Sequence, residues 1–276
     1  MNWEGSEIKE LRKAEAQLKP GAGISVFLWI QDLALALLKE DQTDDPSDPL
    51  YCKQDVTEGI RLLQRLGSYE TRDDKEIVYI SKVRVMLGYI YKYGAYDTPK
   101  NPKVALGWYL KALELVRLLP HGLIYSPGSR PVNEYTECSS DINKLPSDLE
   151  SYKDLRLIIG ELLLESNTAI ENPEEGLKYL CEYASDKLTD EKEQLEKSKI
   201  IADILLKGRK TVIINEADAC EWLARAARLG DVDSKLLLKE IIAKPQTRTT
   251  QEHSVRTTST PKNEKKGFFS KLIGWR

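Results

Sequence analysis

Four cysteines, two histidines and a scattering of carboxylates are the residues of this 276-residue chain whose types could do chemistry. Cys52, Cys138, Cys181 and Cys220 contain no CxxC pair, and zinc sites bring ligands together at such short spacings. His121 and His253 stand alone. No metal site and no cofactor are therefore expected. Four cysteines in this length make no disulfide framework, so the sequence reads as free thiols in a reducing compartment, and a cytoplasmic setting is expected only from the lack of targeting signals. Ser6-Glu7-Ile8-Lys9 spells S-x-x-K, the spacing of a serine nucleophile and its lysine. It sits in a polar leader and lacks the companion S-D-N and K-T-G motifs, so it reads as coincidence. Glu174 and Glu175 follow a Pro at a helix start, where carboxylates complement the exposed amides rather than form an acid/base pair. No Walker loop, G-x-S-x-G elbow, G-x-G-x-x-G or H-E-x-x-H is present. The reading is of a protein that is not an enzyme and has no small-molecule substrate.

Composition limits the partners. Hydrophobic residues are 41% and charged residues 31%, ordinary for a chain that folds in water. The net charge of −3 argues against nucleic acid, whose phosphates demand a basic excess. The charge is uneven. From Pro245 onward seven basic residues face two acidic ones, giving the tail +5 and leaving −8 on the preceding residues. The longest apolar run, VFLWIQDLALALL, contains Gln31 and Asp32 and is too short to span a bilayer. The opening residues carry no apolar core of a secretory signal.

The elements that position these residues come from a repeat. From Asn101, Ala105, Trp108, Tyr109 and Ala112 follow at +4, +7, +8 and +11. From Asn215, Ala219, Trp222, Leu223 and Ala226 follow at the same offsets. These offsets mark one face of an α-helix. The Asn is a natural N-cap, and Pro102 suits the first helical position. Asn172, with Gly176, Tyr179, Leu180 and Tyr183, gives a third copy, and Asp55 with Gly59, Leu62, Leu63 and Leu66 a weaker one. The spacing predicts four B helices over 54–68, 101–118, 172–185 and 215–229.

Each B helix has an upstream partner. Leu87-Gly88, Tyr91 and Gly94 recur as Ile201-Ala202, Leu205 and Gly208. Ile159-Gly160 with Leu163, and Leu33-Ala34 with Leu37, repeat the pattern. The small residue lets two helices approach, and the Gly closes the helix in a left-handed cap. The A helices are predicted over 23–40, 75–93, 149–165 and 190–207. The domain plan is a partly helical polar leader (1–22) and a repeat domain (23–243). Its units are 23–69, 75–118, 149–186 and 190–229, with a cap at 231–243 read as a truncated A helix. A Pro-, Ser- and Gly-rich insertion occupies 119–148, and a flexible basic tail 244–276.

LG-x-x-Y-x-x-G, a loop, then N-x-x-x-A-x-x-W-Y-x-x-A resembles the Sel-one-like repeat family, whose α/α units are related to tetratricopeptide repeats. The resemblance implies an all-α, right-handed superhelical solenoid of about four helix pairs. It also implies a non-enzymatic platform that binds another protein or peptide. In such stacks the A helices usually line the concave wall. Their off-stripe residues are then the candidate contacts: Arg84, Tyr89, Lys92 and Tyr93, then Arg156 and Glu161, then Lys199 and Asp203. A second candidate lies in KKGFFSKLIGWR, residues 265–276. Phe268, Phe269, Leu272 and Ile273 fall on one helical stripe, Trp275 suits an interface, and Lys265, Lys266, Lys271 and Arg276 supply cations. The stripe is read as a docking motif for a partner or for this protein itself. The alternative is a peripheral tether to an anionic membrane surface.

Overall fold

The computed structural model describes residues 9, 12, 13, 15, 16, 18, 23–38, 54–118, 154–187 and 189–243. Among them the secondary structure is α-helical, apart from a 3-10 turn at Ala95–Asp97 and an isolated Arg209–Val212 bridge. The helices are α1 (Ile24–Leu38), α2 (Val56–Gly67), α3 (Asp74–Tyr93), α4 (Pro102–Val116), α5 (Leu155–Leu164), α6 (Pro173–Ser185), α7 (Glu191–Lys207), α8 (Glu216–Arg228) and α9 (Val232–Ala243). The insertion 119–148 and the tail 244–276 lie outside the described residues. Contacts divide the chain into two compact units, Met1–Asn172 and Pro173–Arg276.

Local chemistry sets the helix ends. The side chains of Asp55, Asn101 and Asn215 each accept a hydrogen bond from the amide three residues on, at 3.0–3.1 Å. Asp73 caps α3 through Lys75 and Glu76, and Asp190 caps α7 through Lys192 and Glu193. α3 ends at Gly94, whose φ of 74° is the left-handed conformation that favours glycine.

A backbone latch recurs in every A/B pair. The amide of the B-helix N-cap donates back to an A-helix carbonyl: Asp55 to Leu37 (3.0 Å), Asn101 to Tyr91 (2.7 Å), Asn172 to Leu163 (2.9 Å) and Asn215 to Leu205 (2.9 Å). The four acceptors are the four residues that the sequence pattern aligns. The latch satisfies a carbonyl in the last turn of one helix with the cap of the next, so within a unit it fixes the hairpin at one register.

Within each unit, consecutive helices pack on one another. The first unit buries Phe27, Ile30, Leu33, Leu37, Leu62, Leu66, Ile80, Leu87 and Ile90 in one core. Gly88 and Ala34 let the partner helices close in. A Cβ on Gly88 would stand 2.5 Å from the Tyr109 ring, and one on Gly59 2.9 Å from the Ala34 carbonyl oxygen. The second unit buries Leu177, Leu180, Tyr183, Ile201, Ala202, Leu205, Ala219, Leu223 and Ala226. Trp108 (9% exposed) and Trp222 (5%) are core residues, as their place in the stripe predicts. Tyr91 and Tyr179, also expected in the core, are half-buried. The hydroxyl of Tyr91 accepts a bond from Gln64 at 2.7 Å.

Candidate protein-binding surface

α3 positions the aromatic candidates. It is the longest described helix, and its inward stripe (Ile77, Ile80, Val83, Leu87, Ile90) fixes which side chains turn outward. Tyr89 and Tyr93 sit one turn apart, with ring centroids 4.8 Å apart at 48°. The ammonium of Lys92 lies 4.9 Å from the centre of the Tyr93 ring. Tyr93 is 44% exposed, and Tyr89 and Lys92 are half-buried. Three of the expected residues thus form one aromatic and cationic patch. Just beyond it the chain turns through Tyr96 and Asp97, both at positive φ (55° and 54°). Burial, with the neighbouring Tyr89 second, raises the Tyr96 phenol above its ordinary range.

Arg84 corrects the expectation of an outward contact. It is buried, 4% exposed, and its guanidinium donates to the carbonyls of Gly67 (2.7 Å), Lys111 (2.8 Å) and Tyr69 (3.1 Å). It ties the end of α2 and the following turn to α4, with α3 as its base. Burial, its largest influence, lowers its pKa, while Glu70 and Glu114 oppose that. Nothing near it in sequence signals this role, because its acceptors are 15 to 27 residues away.

The other candidates are dispersed. In the first unit Arg156 pairs with Asp154, the N-cap of its own helix, at 2.5–2.9 Å, and Glu161 is exposed. In the second unit Lys199 bridges to Asp231 at 2.8 Å, and Asp203 pairs with Lys207 at 2.6 Å. The hydrogen bond from Lys199, then those from Ser234, pull the Asp231 carboxyl down to about 2. The tail candidates, Lys265 to Trp275, lie outside the described residues.

Three surface features escaped the sequence reading. Trp29 is 46% exposed, because it falls off the buried spacing of Val26, Phe27, Ile30, Leu33 and Leu37. That spacing was legible within the apolar run and could have singled it out. Ile213 (84%) and Ile214 (57%) stand exposed in the α7–α8 loop. Lys111 lies 4.7 Å from the Trp108 ring centre and Arg225 5.6 Å from that of Trp222. Both cations occupy +10 of the B-helix frame, one turn beyond the Trp, so a +7/+10 pairing was present in the sequence.

Among the described residues no three His, Cys, Asp or Glu side chains could together hold a metal ion. Cys181 and Cys220 are free thiols. Burial, followed by the charges of Asp218 and Glu182, pushes the Cys181 thiol up to about 12. No described helix is long and apolar enough to cross a membrane.

Residues 84–115 and 201–231 match the Sel1 repeat family model. These two segments are similar to the Sel1 repeat. The two matched spans take in Arg84–Leu115 of the α3–α4 hairpin and Ile201–Asp231 of the α7–α8 hairpin, so the Tyr89–Lys92–Tyr93 patch lies within the first matched span. A Sel1 repeat protein from Oxalobacter formigenes is similar in structure, at 15% identity, covering 90% of this chain and 74% of that one, with a TM-score of 0.35. Another is c5321, a protective antigen present in uropathogenic Escherichia coli strains and displaying an SLR fold. It is 14% identical over 85% of this chain, with a TM-score of 0.25, and this chain spans 56% of its length. No curated protein matches the chain.

Proposed function

We propose that this chain is a non-enzymatic adaptor that holds another protein through the outward side chains of its Sel1 repeats. The Tyr89–Lys92–Tyr93 patch of α3 is the principal contact. The observation that carries this reading is an aromatic pair on a rigid helix with a cation over one ring. Such side chains give large contact area at little entropic cost, and their hydroxyls and ammonium add direction. The partner segment that fits is apolar with an acidic group. Glu161, Lys199 and Asp203 are secondary contacts, and the setting is cytoplasmic.

Affinity capture with three baits tests the proposal: the full chain, Tyr89→Ala/Tyr93→Ala, and residues 1–244. The partner should be lost with the double variant and kept without the tail. Retention by the double variant at full yield would refute the assignment of the patch. The alternative of a peripheral membrane adaptor rests on the basic, striped composition of 265–276. It predicts sedimentation with anionic liposomes that disappears when 265–276 is deleted.

A further inference from the structure

α9 is an A-type helix with apolar side chains on every side. Val232, Leu236, Leu237, Leu238, Ile241 and Ile242 leave no continuous polar face. Asp233, Lys235, Lys239 and Glu240 interrupt them, yet the apolar surface is wider than one neighbouring helix covers. α9 packs on α8 alone among the helices it contacts appreciably, and the one residue it buries is Ser234. Val232 is 66% exposed, Leu236 54%, Leu237 38% and Ile242 71%. Two of the other A helices show what is missing. α3 packs most extensively against its own B helix, α4, and α7 against α8. No helix among the described residues follows α9.

We propose that residues 265–276 of the same chain dock on the uncovered face of α9 and serve as its B helix. The segment supplies the complementary surface, with Phe268, Phe269, Leu272 and Ile273 on one helical stripe. As a helix its 12 residues would measure about 18 Å, the length of the 12-residue α9. The 21 residues of 244–264 that join them are long enough, since a coil of that length spans about 25 Å. Such tethering presents the segment at an effective concentration of about millimolar. Charge favours the same pairing. Residues 173–243 carry fifteen acidic and twelve basic side chains, whereas the tail from Pro245 is +5. On α9 itself Asp233 and Glu240 are exposed together with Lys235 and Lys239, so the helix is neutral and the charge complementarity lies with the unit as a whole. A second copy is the weaker occupant. Four exposed apolar side chains fall far short of the roughly 20–30 residues per side of a stable dimer.

Hydrogen exchange read by mass spectrometry on the full chain tests this. In the variant Phe268→Asp/Phe269→Asp/Leu272→Asp, peptides spanning 232–243 should exchange severalfold faster than in the wild type. Peptides spanning 216–228 should change little. The wild-type protection should not depend on protein concentration. A benzophenone amino acid in place of Phe269 should crosslink within one chain to 232–243, a readout that needs no destabilised variant. Equal exchange of 232–243 in wild type and variant would overturn the proposal. Protection or crosslinks that appear only at high protein concentration would also overturn it and assign the face to a second copy. Tail protection gained only on adding phosphatidylserine–phosphatidylcholine vesicles would overturn it in favour of the membrane.

Discussion

Replacing Gly88 with Ala sets two effects against each other, and the structure says which wins. Helix propensity alone predicts a gain of about 0.5–1 kcal/mol, because Gly is a poor residue in a helix interior. Packing predicts a loss. The new Cβ would stand 2.5–2.7 Å from three atoms of the Tyr109 ring. Tyr109 is fully buried, so its ring cannot swing aside into solvent. Overpacking of this kind costs about 1–3 kcal/mol, and contact with three ring atoms puts the cost in the upper half. The net expectation for Gly88→Ala is a loss of about 1–2 kcal/mol. The fourth repeat suggests the remedy, since it carries Ala202 and Leu223 at the corresponding positions. Tyr109→Leu alone should cost about 1–3 kcal/mol through the space it leaves. The double variant should be more stable than the sum of the singles implies, by at least about 1 kcal/mol, as expected for residues in contact. Urea unfolding of the full chain, followed by circular dichroism, supplies the four values of the cycle. A Gly88→Ala protein as stable as wild type or more so, or strict additivity in the double variant, would refute the close approach of α3 and α4.

Other consequences follow from single residues. Arg84→Met keeps the aliphatic stem but abandons three carbonyls, and should cost about 3 kcal/mol or more in thermal unfolding. Trp222→Ala should cost about 3–5 kcal/mol by the same measurement. The Asp231 carboxyl titrates near 2 when folded, below the ordinary value of 3.8. Its stabilising effect is therefore complete above about pH 4 and is lost as pH falls from there towards 2. Lys199→Met should flatten that acid limb, read as urea midpoints between pH 5 and 2.5. At pH 8 Cys181 should resist iodoacetamide in the native protein and Cys220 should react first, as peptide mass spectrometry would show.

The repeat was legible because its signals are local. An Asn or Asp cap, a small residue at +4 and an apolar stripe lie within one helix. They placed α4 at 101–118 where the helix is Pro102–Val116, and α7 at 190–207 where it is Glu191–Lys207. The aligned residues Leu37, Tyr91, Leu163 and Leu205 proved to share a backbone bond that no side-chain pattern encodes. The surface was less legible. Arg84 lies off the apolar stripe and so looked solvent-facing, but the third dimension supplies carbonyl acceptors that burial requires. Tyr89 and Tyr93 could be foreseen as neighbours from their spacing of four, and Lys92 over the ring could not. The unfilled face of α9 was hidden for another reason. The sequence marks 231–243 as a cap but does not say which of its apolar side chains meet a neighbour, and Val232, Leu236 and Ile242 stay exposed.

The latch is the claim on which the account depends, and amide hydrogen exchange by NMR on the uniformly labelled full chain measures it directly. The amides of Asp55, Asn101, Asn172 and Asn215 should all be protected about a hundredfold or more, well above the loop residues around them. Exchange of these four amides at the rate of an open loop would contradict the repeating hairpin.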